Sequence, residues 1–222
     1  RYIRNLICNL QIIDKKNEYF ILHLQNDLQY RDNFKKINAN FKWYGLTEQL
    51  KLPNILNEIK PDLVHFPHFN APVFYRGKFV VTIHDLIHHK FEEYAATTKN
   101  PIVFKLKRFA YKKVIEHAVK KSAHIITPSN FVKEDVINTF KVSPEKIAVT
   151  YEAAEEEYFK SKKTNSKSPY ILYVGNAYPH KNLNNLLDAI KLLTFNKNNP
   201  LIKLIIISPR DVFSQRLISE IE

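Results

Sequence analysis

Short runs of β-branched and aromatic residues alternate along this chain with stretches whose apolar residues recur at helical spacing, and that alternation leaves few folds open. The runs are "YFILHL" (Tyr19 to Leu24), "DLVHF" (Asp62 to Phe66), "KFVVTIH" (Lys78 to His84), "HIITPS" (His124 to Ser129), "KIAVTY" (Lys146 to Tyr151), "YILYVG" (Tyr170 to Gly175) and "IKLIIIS" (Ile202 to Ser208). Helical spacing fills residues 1–13, 47–59, 100–121, 130–140 and 181–193, and returns on the way to Glu222. Short, largely apolar strands separated by helices are strands buried on both faces. The pattern predicts an α/β protein with a doubly wound parallel sheet. Ser129 is placed to cap the helix that follows it, and Ser143-Pro144-Glu145 reads as a single helical turn before the next strand.

At "EAAEEEYFKSKKTNSKSP" the composition shifts to charged and small polar residues without periodicity, which reads as a linker over residues 152–168. It divides a first domain, residues 1–151, from the start of a second, residues 169–222. The second stretch supplies only one βαβα unit, too little to bury both faces of its strands, so further sheet is expected after it. The chain also begins at Arg1 and opens in a helix with no strand before it. Both ends therefore read as those of a piece of a longer protein.

Several function classes drop out. With three glycines in all, Gly45, Gly77 and Gly175, neither a GxGxxG loop nor a Walker loop can be written. No apolar run has the length of a membrane span and no stretch has the order of a signal peptide, which points to the cytoplasm. The single cysteine, Cys8, excludes an internal disulfide and a cysteine-cluster metal site, and belongs on the apolar face of the first helix. The net charge of +12 has three readings: a lysine-rich compositional bias, nucleic-acid binding, or a local anionic surface. Nucleic acid is disfavoured because the basic residues lack an interleaved aromatic stacking face and a recognition-helix motif. The local candidate is the segment 100–123. Its apolar residues Val103, Leu106, Phe109, Ala110, Val114 and Ala118 are expected to face the core. Lys105, Lys107, Arg108, Lys112, Lys113, Lys120 and Lys121 lie between them, as a solvated face or a dock for an anionic membrane.

In sheets of this kind ligands sit beyond the carboxyl ends of the strands, near helix N-termini. The polar residues fall there: His65 and His68 after one strand, His84 and Asp85 after the next, Ser129 and Asn130 after another, and Gly175 and Asn176 in the second unit, followed by His180 and Lys181. Gly175 lets a backbone come close, and a lysine at the start of a helix suits a diphosphate. His65, His68, His84, Asp85, His88 and His89 include metal-ligand types. A metal-dependent His-Asp phosphohydrolase, however, places that pair on a helix, whereas "KFVVTIHD" is a strand end. Backbone-satisfied loop histidines account for His88 and His89, and no metal site is assigned.

Three segments in order, "VVTIHDLIHHKFEEY", "AHIITPSNFVKEDVINTFKVSPEKIAVTYEAAEEEYF" and "PYILYVGNAYPHKNLNNLLDAI", resemble the successive signatures of glycosyltransferase family 4. The resemblance covers most of the chain. It implies the GT-B fold, two Rossmann-like domains, the first mainly holding the acceptor and the second the nucleotide sugar. It also implies transfer of a sugar from a nucleotide-diphosphate sugar to an acceptor hydroxyl with retention, without a metal or other cofactor, the acceptor being a sugar or a lipid-linked sugar. By matching positions, His84 would contact the reacting sugar or acceptor, with Asp85, Ser129 and Asn130 on the acceptor side. Gly175, Asn176, His180 and Lys181 would lie at the donor, with Lys181 on its phosphates. Asn176 stands where many members have arginine. The "GNAYPHKN" form is similar to that of bacterial polysaccharide and mannosyl transferases, which implies a mannose donor. The family's later pair of glutamates has no counterpart within these residues, which leaves a non-catalytic relative as the other reading.

Overall fold

Every strand pairing among the described residues is parallel, as expected of the sheet. The structure is a computed structural model, which describes residues 1–23, 29–41, 44–90, 101–160, 170–195 and 203–221. Of the expected elements, Leu24, Asn100, the linker residues 161–168, Ile202 and Glu222 lie outside the described residues. The described chain forms two compact units: residues 1–86 with 105–153, and residues 87–104 with 154–222.

The first unit opens with α1 (Tyr2–Ile13), β1 (Tyr19–His23), β2 (Phe34–Asn38) and α2 (Leu46–Ile59). A four-stranded sheet follows, β3 (Val64–Phe66), β4 (Phe79–Thr82), β5 (His124–Thr127) and β6 (Ile147–Val149), whose strands lie side by side in chain order. Val81 pairs with Ile125, and Ile125 with Ile147. Val81, Ile83, Ile125, Val132, Val136 and Ile147 are buried in one core with Ile115, Ala118 and Val119. Full burial of each large aliphatic side chain contributes roughly 1.5–3 kcal/mol. Strand β2 was not anticipated, and it forms a separate two-stranded sheet with β1.

Between β4 and β5 run a short turn, α3 (Ile87–Lys90), and the long helix α4 (Pro101–Lys121). The core face of α4 differs from expectation. Val103, Leu106 and Phe109 are 45%, 69% and 61% exposed and Ala110 is exposed too; of the expected core residues Ala118 is buried, together with Ile115 and Val119, which were not expected. Helix α5 (Asn130–Phe140) begins as anticipated, with the Ser129 hydroxyl accepting from the Val132 N–H at 3.2 Å. The anticipated single turn before β6 spans Pro144–Lys146. Lys146 reaches from it to donate to the carbonyls of Val119 and Lys120 at 2.8 and 2.9 Å, satisfying the free C-terminal end of α4.

The second unit contains α6 (Glu156–Lys160), β7 (Tyr170–Val174), α7 (Leu183–Phe195), β8 (Lys203–Ile207) and α8 (Val212–Ser219), with β7 paired to β8. A helix thus occupies part of the segment read as linker. Asp211 caps α8, accepting from the N–H groups of Phe213 and Ser214, while the Ser214 hydroxyl accepts from the Asp211 N–H. Among the described residues no helix is long and apolar enough to cross a membrane.

Candidate functional site

His84 leaves the carboxyl end of β4, and Ile83 just before it still bonds to the neighbouring strand through its N–H and the Ile126 carbonyl. The imidazole is held from several sides. Its Nε2 donates to the Pro67 carbonyl at 3.1 Å, its Nδ1 faces the Glu152 carboxylate at 3.2 Å, and the Tyr2 ring meets it edge-on at 4.8 Å. Both polar partners are acceptors, so both contacts are made together only when each ring nitrogen carries a hydrogen. Glu152 is the first residue of the stretch read as linker. Its pattern alone gave no signal that it would fold back onto the His-Asp motif.

Pro67 belongs to the segment 67–78, which carries the chain from β3 to β4 without a helix. Two residues of the first turn of α2 hold it: Glu48 accepts from the Asn70 amide at 2.5 Å, and Gln49 from the Val73 N–H at 3.0 Å. Glu48 also accepts from the Tyr44 N–H at 2.6 Å and is fully buried, and burial pushes its carboxyl above the usual range against these two hydrogen bonds. His68 lies 5.9 Å from the His84 ring. His65 turns to the buried Thr82 hydroxyl at 2.8 Å. Burial first, and the neighbouring His84 second, hold its imidazole below the ordinary range, which keeps it neutral.

The other candidates of this unit stand as follows. Asp85 is exposed, and its charge adds to burial in pushing the Tyr111 phenol up to about 12, against the opposing Arg108. The Ser129 hydroxyl is spent as a helix cap, and Asn130 donates to the Tyr151 hydroxyl at 3.0 Å. Among the described residues no group of three histidine, cysteine, aspartate or glutamate side chains is placed to hold a metal ion.

In the second unit β7 ends at Val174 and the Gly175 N–H continues the ladder to the Ile207 carbonyl at 3.0 Å. Space over Gly175 is taken by its own chain: a Cβ there would stand 2.9 Å from the Tyr173 hydroxyl, which donates to the Asn176 carbonyl at 2.8 Å. The missing side chain thus lets a phenol pin the loop. Residues Pro179–Lys181 form a 3₁₀ turn that ends at Asn182 in the left-handed region, φ 56°, before α7 begins at Leu183. Lys181 is exposed and precedes the helix by one turn residue rather than opening it. His180 lies against Tyr178, ring centres 5.9 Å apart, and Tyr178 meets Phe213 of α8 edge-on at 4.8 Å.

Residues 21–157, more than half of the chain, match the family model of Glycosyltransferase Family 4. The chain belongs to that family. Residues 154–220 match a second model, Glycosyl transferases group 1. The O-antigen chain mannosyltransferase RfbU of Salmonella typhimurium (strain LT2) is 27% identical to this chain over 150 residues, which are 68% of this chain and 38% of that protein. The matched part therefore spans well under half of that relative. His84, Asp85, Ser129, Asn130 and Glu152 fall within the Glycosyltransferase Family 4 match, and Gly175, Asn176, His180 and Lys181 within the group 1 match. The mixed α/β architecture with parallel sheets is that of a Rossmann-like, GT-B glycosyltransferase.

Proposed function

We propose that this glycosyltransferase moves mannose from a nucleotide-diphosphate sugar to a hydroxyl of a sugar or lipid-linked acceptor, with retention, in cell-surface polysaccharide or glycolipid synthesis. The observation that carries the reading is His84. An imidazole at a strand's carboxyl end, aimed by a carbonyl and a carboxylate within the family match, supports a role for it at the reacting sugar. The chemistry asks the protein for position and charge rather than a nucleophile or a metal: the donor phosphate takes the acceptor's proton as the glycosidic bond breaks, and Lys181 steadies the diphosphate. Asn176 and His180 flank that diphosphate. The mannose assignment draws on the "GNAYPHKN" motif and on the name of the Salmonella relative.

The test has two arms. Calorimetry with GDP and UDP on the protein and on Lys181→Ala should show about tenfold or greater weakening, the range for one charged hydrogen bond. Transfer of radiolabelled mannose from GDP-mannose to extracted lipid-linked saccharide should fall at least about a hundredfold in His84→Ala, the scale of losing one transition-state contact. Equal transfer by His84→Ala would refute the assignment of His84.

The membrane is proposed as a partner through α4. Ile102, Leu106 and Phe109 recur at positions i, i+4 and i+7 and are 77%, 69% and 61% exposed. At about 100° per residue they lie on the face opposite Tyr111, Ile115 and Ala118. Lys105, Lys113 and Lys120 share the exposed face, with Glu116 bridging the last two. Apolar side chains ringed by net positive charge fit an anionic bilayer surface, which supports the proposal of a cytoplasmic enzyme docked at the inner membrane face. Vesicles of anionic but not neutral lipid should co-sediment the protein and release it in high salt. Binding that ignores lipid charge would remove α4 from this role.

A further inference from the structure

We infer that Glu48 is a positioning residue for His84: its buried carboxylate clamps the β3–β4 crossover, and the crossover holds the imidazole. The inference concerns catalysis only insofar as His84 acts at the reacting centre, as proposed above.

Glu48 is 1% exposed, yet a carboxylate serving only the N-terminal end of α2 would do so from the surface, without losing its hydration. What burial adds is a pair of fixed partners, one on each oxygen. Oε2 accepts from the N–H of Tyr44, and Oε1 from the amide of Asn70. Each leads to His84. Asn70 stands three residues beyond Pro67, whose carbonyl receives the His84 Nε2–H, and the backbone at Asn70 itself is turned by the Ala71 N–H to Phe69 carbonyl bond of 2.9 Å. Tyr44, held in the left-handed region at φ 60°, sets its ring edge-on to His68 at 5.6 Å, and His68 lies beside His84. One carboxylate therefore fixes both the carbonyl that aims the imidazole and the aromatic group that flanks it. A crossover without a helix of its own needs such an anchor.

The experiment reads the ring itself, with no substrate, in side-chain 15N–1H spectra of the histidines, His84 being assigned through His84→Gln. In the unaltered protein the Nε2–H of His84 is expected to exchange slowly with solvent, being bonded to the Pro67 carbonyl. Glu48→Ala and Asn70→Asp, the second setting two acceptors against each other, are expected to speed that exchange about tenfold, the equivalent of one lost hydrogen bond. Glu48→Gln keeps an acceptor for Tyr44 and offers an N–H to residue 70, so Glu48→Gln and the double variant Glu48→Gln with Asn70→Asp should return to within about twofold of the unaltered rate. His65, bonded to Thr82, should stay unchanged throughout. If Glu48→Ala fails to fold, Asn70→Ala, which spares the Tyr44 bond, decides. Unchanged His84 exchange in either asparagine variant, or His65 and His84 shifting together, overturns the clamp. A clamp verified in this way while His84→Ala still transfers sugar would sink the catalytic reading alone.

Discussion

Replacing Thr82 with valine removes one hydroxyl from an inner strand of the four-stranded sheet and little else. Thr82 is 1% exposed, and its Oγ1 lies 2.8 Å from His65 Nε2 and 3.4 Å from the Tyr2 hydroxyl. Valine keeps the shape, so no cavity forms. The loss is one net hydrogen bond of about 1 kcal/mol, together with the cost of leaving a buried ring nitrogen unpaired, about 1–3 kcal/mol. The more distant Tyr2 contact adds little, since that hydroxyl can turn to water. A well-packed methyl in an apolar slot recovers part of the sum, leaving about 2 kcal/mol of destabilisation. For a protein of this size that lowers the melting temperature by roughly 4–8 °C. Thermal and urea unfolding followed by circular dichroism measure it. Thr82→Ser, which keeps the hydroxyl and loses a methyl, should cost only about 1 kcal/mol. In a double-mutant cycle His65→Leu should recover about 1–2 kcal/mol of the valine penalty, because both partners are then apolar. Thr82→Val as stable as the parent, or less damaging than Thr82→Ser, would refute the reasoning.

The pH dependence of stability carries two opposed signatures. His65 is held below its ordinary value of 6.5, so the unfolded chain takes up that proton more readily; its contribution is present above that value and falls away on acidification through it, and His65→Leu should flatten this limb. Glu48 is held above its ordinary 4.5, so its titration favours the folded state as pH falls toward that value, and Glu48→Gln should make the acid loss steeper in denaturation curves taken from pH 7 to 4. Gly175→Ala should displace the Tyr173 hydroxyl from the Asn176 carbonyl and cost about 1 kcal/mol in urea unfolding; adding Tyr173→Phe should remove most of the extra strain. Lys146→Met should shorten hydrogen-exchange lifetimes in the last turn of α4 more than in α5, since it uncovers the carbonyls of Val119 and Lys120.

The parallel sheet, its order of helices and strands and the place of His84 at a strand end were legible because buried strands write themselves as apolar runs. Strand β2 was not. Its sequence, Phe34-Lys35-Lys36-Ile37-Asn38, has two lysines, and in the structure they lie over aromatic rings of Phe20 and Tyr30, so the stems are covered while the charges stay wet. Helix α4 misled for another reason. Its apolar residues form two stripes on opposite faces, and periodicity alone cannot say which stripe meets the sheet. At the site, histidine and aspartate were visible as residue types beside an apolar run. Glu152, Pro67 and Glu48 were not, because a carbonyl has no sequence signature and carboxylates far along the chain give no sign of where they return.

The way His84 is held limits what it can offer a reactant. With Nε2 turned to a backbone carbonyl and Nδ1 to a carboxylate, both ring nitrogens are engaged within the protein, so neither reaches a reactant without giving up a neighbour. What remains available is its partial positive edge. In that state the histidine is a fixed donor of field, suited to growing negative charge on an oxygen, and a hydroxyl that must lose its proton has to give it to some other acceptor.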